Sequence, residues 1–375
     1  MAAKEADETI GFFNLGERIE LSRNEDAPFF QSSLGIKFQV SERLIVLTSL
    51  GADTLQQVHP GIVKVQQLAS LAKEDVFLLT LTPGARTQVF TLLAQHRGIR
   101  LVQPDLAQEA KNYSATTQST AQVSPLQPFI PQPPCNPHCY QARIAIIDDG
   151  FDFNHNEFSE LEVLFSYDAD TRQADASPKS PADFHGTMVA GILGAKQDNK
   201  GAEGLAPDAG IIAIRQVSTW TSDMILAFSV ARMMRADIIN VSWTLPFLPQ
   251  PLAELLEDML KEPSAPYIVV AAGNLGLDAC EKNALTTIAS VLTVGARNRN
   301  GDVAAFSNRG NCVDLYAPFG LKSVTPKGYG LLGGTSSSAA FVSGVIAHQL
   351  RLGRRPSRSE LVEVMNQLGK PDVAR

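Results

Sequence analysis

IAIIDDGFD, at residues 144–152, joins a run of aliphatic residues to two aspartates and a glycine. Such a run predicts a buried strand that ends at the first aspartate. Further runs of this kind follow at AGIIAIRQV (209–217), DIINVSW (237–243), YIVVAAG (267–273) and SVLTVGA (290–296). Helical patterns separate them at HGTMVAGILGA (185–195), MILAFSVARMMR (224–235) and PLAELLEDML (251–260). This alternation predicts an α/β domain over residues 142–375, with a mostly parallel sheet covered by helices on both faces.

The chain before this domain divides into three parts by composition. Residues 1–35 are mixed and polar with little periodicity, so we predict a loosely structured leader. Residues 36–110 combine strand patterns with a helix in which Val89, Leu92 and Leu93 share a face, which predicts a small α+β domain. Residues 111–141 are rich in Ser, Thr, Gln and Pro, and this composition predicts an exposed linker.

Charge and hydropathy exclude several classes of protein. The net charge of -7, from 39 acidic and 32 basic residues, argues against a nucleic-acid partner. No apolar stretch is long enough to predict a membrane span. Lys4, Glu5, Asp7 and Glu8 lie where a signal peptide needs an apolar core, so a cytoplasmic location is the default expectation.

The four cysteines are too few to form a disulfide framework in a chain of 375 residues. Cys135, His138 and Cys139 could be metal ligands, but one such cluster without a second ligand pair is a weak signal. A local disulfide or two thiols is the preferred interpretation, so we predict no metal site.

Four polar residues end predicted strands or begin predicted helices. Asp148 and Asn274 each follow an aliphatic strand, whereas His185 and Ser336 each open a helix rich in small residues. Each alone is an ordinary turn or cap residue. Together they offer a nucleophile, a base, an orienting carboxylate and a donor to an oxyanion, in the part of an α/β sheet where active sites lie.

Four blocks resemble, in the same order, the signature blocks of the subtilisin-like serine proteases (subtilases, peptidase family S8): IAIIDDGFD, HGTMVAGILGA (185–195), VVAAGN (269–274) and GTSSSAAFVSG (334–344). GLAPDA, INVSW, FSNRG (306–310) and DLYAPFG are also similar to family blocks. The resemblance covers about residues 142–370 and implies a three-layer subtilisin-like fold. It implies a serine endopeptidase with Asp148, His185 and Ser336 as its triad, Asn274 as its oxyanion donor, and no cofactor required for the chemistry.

The chain departs from the family pattern near these residues. Asp149 stands where the family usually has Ser or Thr, so a second carboxylate could perturb His185 and leaves the pH optimum open. Met188 replaces a usual His, and Ala340 a usual Pro. The segment Ser242, Trp243 and Thr244 replaces Ser-Leu-Gly along the substrate cleft, so we expect its side chains to reshape the P1 pocket. The predicted substrate-binding residues are Ser242, Trp243, Thr244, Ala271, Ala272 and Gly273.

Residues 36–110 resemble, more weakly, the propeptides that inhibit subtilases, with LVQPD (101–105) as the best local match. The resemblance implies that this pro-domain is an intramolecular inhibitor and that the other partner is a peptide or protein substrate. An unrelated accessory domain is the alternative. Asp198, Asn199 and Gly201 resemble a loop that binds structural calcium in some relatives, although a solvated polar turn is the preferred interpretation.

Two other functions are compatible with the same residues. In a peptide ligase or macrocyclase, an amine would intercept the acyl-enzyme instead of water, and the sequence barely separates that reaction from hydrolysis. A permanently inhibited, non-catalytic peptide-binding protein is the third alternative, and the complete triad argues against it.

Overall fold

The computed structural model describes residues 8–23, 27–108, 139–298 and 300–368. The chain divides into two compact units. Unit 1 comprises Met1–Ala110, Ser218–Ser229 and Pro246–Lys261, and unit 2 comprises Lys111–Val217, Val230–Leu245 and Glu262–Arg375. Residues 109–138, which contain most of the predicted linker, lie outside the described residues.

Unit 1 is built on a seven-stranded antiparallel sheet. Its strands are β1 (Glu8–Asn14), β2 (Glu17–Arg23), β3 (Phe30–Ser32), β4 (Lys37–Thr48), β5 (Ile62–Ser70), β6 (Asp75–Leu81) and β7 (Ile99–Gln108). They lie in the order β1-β2-β3-β4-β6-β5, and β7 also pairs with β4. The helices of this unit are α1 (Ala52–Gln57), α2 (Arg86–Ala94), the part of α4 (Thr221–Met233) up to Ser229, and α5 (Gln250–Met259).

Two apolar clusters hold unit 1 together. One contains Val89 and Leu93 of α2, packed with buried residues of the sheet and α1. The predicted helix and its apolar face are therefore present, except that Leu92 is 43% exposed. The second cluster contains Phe38, whose ring meets that of Phe247 edge-on with centroids 5.3 Å apart.

The prediction of a loosely structured leader over residues 1–35 is wrong for its described part. Strands β1 and β2 form a hairpin, and β3 connects it to β4 in the same sheet. The hairpin turns at Leu15 and Gly16, both of which have positive φ (51° and 84°). Positive φ at both central residues is typical of the tight turns that match strand twist. The sheet of the small domain thus begins at Glu8.

Unit 2 contains the predicted parallel sheet. Its strands are β8 (Arg143–Asp148), β9 (Glu162–Asp168), β10 (Gly210–Arg215), β11 (Ile238–Val241), β12 (Tyr267–Ala271), β13 (Leu292–Arg297) and β14 (Leu315–Pro318). They lie in the order β14-β13-β12-β11-β8-β10-β9, and every pairing is parallel. Because β8 lies between β10 and β11, the strand order reverses beside it, and this is where open α/β sheets bind ligands.

Helices and a hairpin complete unit 2. They are α3 (His185–Gly194), the end of α4, α6 (Ala279–Lys282), α7 (Gly334–Arg351), α8 (Arg358–Leu368), two short 3₁₀ turns (Asn156–Phe158 and Ala284–Thr287), and the hairpin of β15 (Leu321–Thr325) and β16 (Gly328–Leu332). Helix α7 packs against α3 and against strands β11 to β14. Every residue of α3 is buried. None of the described helices is long and apolar enough to span a membrane.

Candidate active site

Asp148 and His185 meet at the end of β8. Asp148 is the last residue of that strand, and His185 is the first residue of α3. The Nδ1 atom of His185 lies 2.8 Å from Asp148 Oδ1, and both side chains are buried. With Nδ1–H donating to the carboxylate, Nε2 becomes the nitrogen that can accept a proton.

The electrostatics of this pair involve a third group. Burial lowers the pKa of His185, but the charge and hydrogen bond of Asp148 and the charge of Asp149 raise it by more, so the net pKa is above its ordinary value. Burial, with the neighbouring charge of Asp148, raises the pKa of Asp149 to about 7. The predicted influence of Asp149 on His185 therefore has a structural basis.

Ser336 lies in the first turn of α7, as the sequence predicts. Its hydroxyl donates to the carbonyl of Ser242 (2.9 Å), and the Ser242 hydroxyl lies 3.2 Å from the carbonyl of Ser336. The neighbouring hydroxyls are held elsewhere, since Ser337 donates to Gly334 and Ser338 donates to Ala317. A hydroxyl has one proton, so transfer to His185 requires Ser336 to turn away from Ser242.

Asn274 is held against the start of α7 by Thr335. Its Oδ1 accepts from the Thr335 amide (2.8 Å) and the Thr335 hydroxyl (3.0 Å), which leaves Nδ2 as the end that can donate to an oxyanion. A Cβ on Gly334 would lie 2.9 Å from Nδ2, and Gly334 has a φ of 69°, so only glycine fits there. The structure thus places Asn274 beside the residues that precede Ser336.

Two residues that the sequence analysis missed fix this arrangement. Thr335 also accepts from the amide of Gly273 (3.1 Å). Asn308 donates to the carbonyl of Ala272 (2.9 Å) and accepts from the amides of Leu275 and Leu277 (3.1 Å each). Asn308 lies in the FSNRG block, which was the available sequence signal.

The predicted substrate-binding residues fall into two groups. Ser242, Ala271, Ala272 and Gly273 are buried backbone neighbours of the site, and Thr244 is half-buried. Trp243 is 1% exposed, and its indole N–H donates to the carbonyl of Ile147 (2.9 Å). The burial of the indole against an acceptor indicates that Trp243 contributes to packing. The expected effect of this segment on the P1 pocket stays a prediction.

The cysteines that the structure describes form disulfides. Cys280 of α6 pairs with Cys312, which lies between β13 and β14. Cys139 is also disulfide-bonded, so its sulfur is not a free thiolate for a metal ion.

The loop that resembles a calcium site is poorly suited to a cation. Lys196 pairs with the carboxylate of Asp198 (3.2 Å), whose other oxygen accepts from the amide of Lys200 (3.0 Å). Within residues 8–23, 27–108, 139–298 and 300–368, no group of three or more acidic, His or Cys side chains could hold a metal. The solvated polar turn is the better interpretation.

Comparison with known proteins agrees with this geometry. The model of the subtilase family, Peptidase_S8, matches residues 141–363. The chain belongs to the subtilase family. A thermophilic serine proteinase of Bacillus sp. (strain AK1) is 32% identical over 221 residues, which cover 56% of this chain and 53% of that protein. The chain therefore spans about half the length of that relative.

Solved structures support the subtilase fold. A cold-adapted subtilisin-like serine proteinase is 28% identical, with a TM-score of 0.50 over 60% of this chain and 81% of that one. The protease domain of PatA is 26% identical, with a TM-score of 0.51 over 62% of this chain and 88% of that one. The predictions of a subtilisin-like family and a mostly parallel α/β fold are confirmed.

Proposed function

We propose that this chain is a serine endopeptidase that hydrolyses peptide bonds through an acyl-enzyme formed on Ser336. The observation that carries the proposal is the buried hydrogen bond between Asp148 and His185, which holds an imidazole ready to act as a base. Ser336 supplies the nucleophile in the same unit. It lies at the start of α7, to which Asn274 is hydrogen-bonded through Thr335.

Each residue then has one task. His185 Nε2 takes the proton from Ser336 Oγ as that oxygen attacks the scissile carbonyl carbon, and the negative charge of Asp148 stabilises the imidazolium. Asn274 Nδ2 and the Ser336 amide donate to the oxyanion at the positive end of the α7 dipole. His185 returns the proton to the leaving amine. Water, activated by His185, then hydrolyses the ester.

We propose further that the N-terminal segment is an inhibitory pro-domain. The support comes from unit 1, in which this segment binds two helices of the region matched by the subtilase family. Asp105 of β7 is buried and accepts from both the amide and the hydroxyl of Ser222 (2.9 Å each). Arg43 pairs with the same carboxylate at 2.8 Å. Asp105 thereby caps the first turn of α4, a site that prefers negative charge.

The end of β7 continues these contacts. Ala107 forms an antiparallel bridge with Trp220, and the Thr219 hydroxyl donates to the carbonyl of Gln108 (2.5 Å). The side chain of Gln108 pairs with both backbone groups of Phe247 (2.6 and 2.9 Å). Backbone pairing along an extended segment is one of the ways in which peptides bind to proteins.

The N-terminal hairpin caps the second helix. Asn14 Oδ1 accepts from the amide of Gln250 (2.7 Å) at the first residue of α5, and Asn14 Nδ2 donates to the carbonyl of Leu248 (3.1 Å). Pro249, at the N-cap position of α5, offers no side-chain cap of its own. These contacts satisfy the first amides of both helices, as we expect of an inhibitor that folds together with its enzyme.

The proposal is tested with a fluorophosphonate probe, which reacts with an activated serine, followed by intact mass analysis. We expect one adduct on wild-type protein and none on Ser336→Ala, with Ser337→Ala as the matched control that still reacts. An adduct that persists in Ser336→Ala and disappears in Ser337→Ala would move the nucleophile. Adding an amine acceptor to the peptide assay distinguishes hydrolysis from ligation by the mass of the product.

A further inference from the structure

Asp149 binds the start of the helix that carries His185. Its Oδ1 accepts from the amide of Gly186 (2.8 Å), and its Oδ2 accepts from the amide of His185 (3.1 Å). These are the first two residues of α3. The Asp149 side chain thus spans from the turn after β8 to the helix that faces it.

This contact does what a cap residue does elsewhere. The first amides of a helix have no partner within the helix, and a buried amide without an acceptor is costly. Phe184 occupies the N-cap position and makes no side-chain cap. Asp149 takes over that function from another element, and the positive end of the helix favours its carboxylate.

The same turn fixes Asp148. The amide of Asp149 donates to Asp148 Oδ1 (2.9 Å), the same oxygen that contacts His185 Nδ1. Two adjacent residues therefore hold His185. Asp148 binds its imidazole, and Asp149 binds its backbone amide. Because Asp149 is 5% exposed, little of its carboxylate is available to solvent.

We propose that Asp149 is a positioning residue, whose carboxylate fixes the backbone of His185 and so aligns its imidazole between Asp148 and Ser336. This inference rests on the proposed function of Ser336 and His185. Ser or Thr, usual in the family at this position, has one side-chain oxygen and cannot bind both amides with two separate oxygens. The Asp149 carboxylate therefore holds the start of α3 with two hydrogen bonds, where a hydroxyl has one oxygen to offer.

Besides holding the backbone of His185, Asp149 raises the pKa of the His185 imidazole through its charge. The titratable groups that act on it are Asp148 and His185. Asp183, two residues before His185, is paired with Arg215 at 2.8 Å. Removing the Asp149 charge removes one of the groups that stabilise the imidazolium. The pKa of the His185 imidazole should therefore fall.

The test compares Asp149→Asn, Asp149→Ser and Asp149→Ala with Asp152→Asn, a matched control that alters a nearby carboxylate in the same block. We expect kcat to fall about 10- to 100-fold in Asp149→Ala, with KM changed less than about threefold, because the base is misaligned while substrate contacts remain. Asp149→Asn and Asp149→Ser, which keep one acceptor, should fall between this variant and the wild type. Asp152→Asn should behave as wild type.

Proton NMR gives a readout that does not depend on turnover. The Nδ1 proton of His185 resonates far downfield when it is held by Asp148, and its pH titration reports the imidazole pKa. We expect this pKa to fall in Asp149→Asn, a near-isosteric change, and to stay in Asp152→Asn. Thermal melts identify any variant that has lost its fold.

The outcomes separate the two levels of inference. Unreactive wild-type Ser336 would overturn the proposed function, whereas the NMR titration would still decide the role of Asp149. Unchanged kcat and unchanged imidazole pKa in folded Asp149→Asn and Asp149→Ala would overturn the positioning role. A rise in KM confined to substrates with basic residues, at constant kcat, would make Asp149 a substrate-recognition carboxylate and would also overturn it.

Discussion

At the scale of single residues, Asn274 carries the most distinctive expectation. Its Oδ1 is held by Thr335, so its Nδ2 is set before any substrate arrives. We predict that Asn274→Ala lowers kcat about 100- to 1000-fold with a much smaller effect on KM, because an oxyanion donor acts where charge develops. Steady-state kinetics with Asn156→Ala, an exposed asparagine, as control will measure this. An unchanged kcat in the folded variant would remove Asn274 from the mechanism.

His185 sets the acid limb of activity. The base must be neutral to accept the proton of Ser336, and its pKa is raised above the ordinary 6.5 despite its burial, because Asp148 and Asp149 favour the charged form. Imidazolium therefore accumulates as the pH falls through this raised pKa. We predict an acid limb of kcat/KM with a midpoint above 6.5, measured on the activated protein. A midpoint at or below 6.5 would contradict the electrostatics described for this site.

Trp243 connects the packing of the core to the site. Its indole donates to the carbonyl of Ile147, the residue before Asp148. We predict that Trp243→Phe lowers the free energy of unfolding by about 1–3 kcal/mol, because a buried carbonyl loses its donor. It should lower kcat without a change in the preferred P1 side chain, as denaturant titration and a peptide library would show. A changed P1 preference at constant stability would return Trp243 to the pocket wall.

At the scale of elements, the caps of α4 and α5 determine how firmly the N-terminal segment binds. Asp105→Ala removes the acceptor of Ser222 and leaves Arg43 without its buried partner. We predict weaker binding by about 1–3 kcal/mol and earlier onset of peptidase activity, since caps and buried charged hydrogen bonds contribute on this order. Asn14→Ala should act in the same direction.

Activity time courses measure that onset. Asp53→Asn, an exposed acidic residue of α1, is the control and should match wild type. If Asp105→Ala and Asn14→Ala activate no faster than Asp53→Asn, the segment does not inhibit through these contacts.

The elements differ in how far the sequence could predict them. The five central strands of the unit 2 sheet, β8, β10, β11, β12 and β13, were predictable because each is a short, mostly buried aliphatic run. The edge strands β9 and β14 are partly exposed and were not predicted. Hairpin β1–β2 was missed because its turn uses Leu15 rather than the Asn or Asp that marks such turns, and charged residues alternate with Ile19 and Leu21. The positions of Asp148 and Ser336, at a strand end and a helix start, follow from local blocks of sequence, as does that of His185. The catalytic roles of these residues and of Asn274 stay predictions.

Contacts between distant segments could not be predicted in the same way. Trp243 was assigned to the cleft because its segment resembles a family block, and the hydrogen bond from its indole to a carbonyl of another strand could not be read from that block. Thr335 and Asn308 act through hydrogen bonds to residues more than thirty positions away, as with the Asn308 contact to Ala272 (36 positions). Such roles follow only from the packed structure.

At the scale of the whole molecule, the predicted linker lies in the sequence between the proposed inhibitor and the region matched by the subtilase family, residues 141–363. A tethered inhibitor acts at high effective concentration, so cutting the tether should weaken inhibition even while the pieces remain associated. The composition of residues 111–141 predicts an exposed and extended segment, which is what a protease cleft requires of its substrate. We therefore expect the protein to cut itself first within this linker.

The most direct test of the account is N-terminal sequencing of purified protein during incubation, with peptidase activity followed in parallel. We predict that the wild type is cut within residues 111–141 and gains activity on dilution, while Ser336→Ala remains full length and inactive. Wild-type protein added in trace amount should cut Ser336→Ala in the same region. If Ser336→Ala is cut by itself at the wild-type rate, or if uncut wild type is fully active on peptides, the account of a self-processing enzyme built on Ser336 is contradicted.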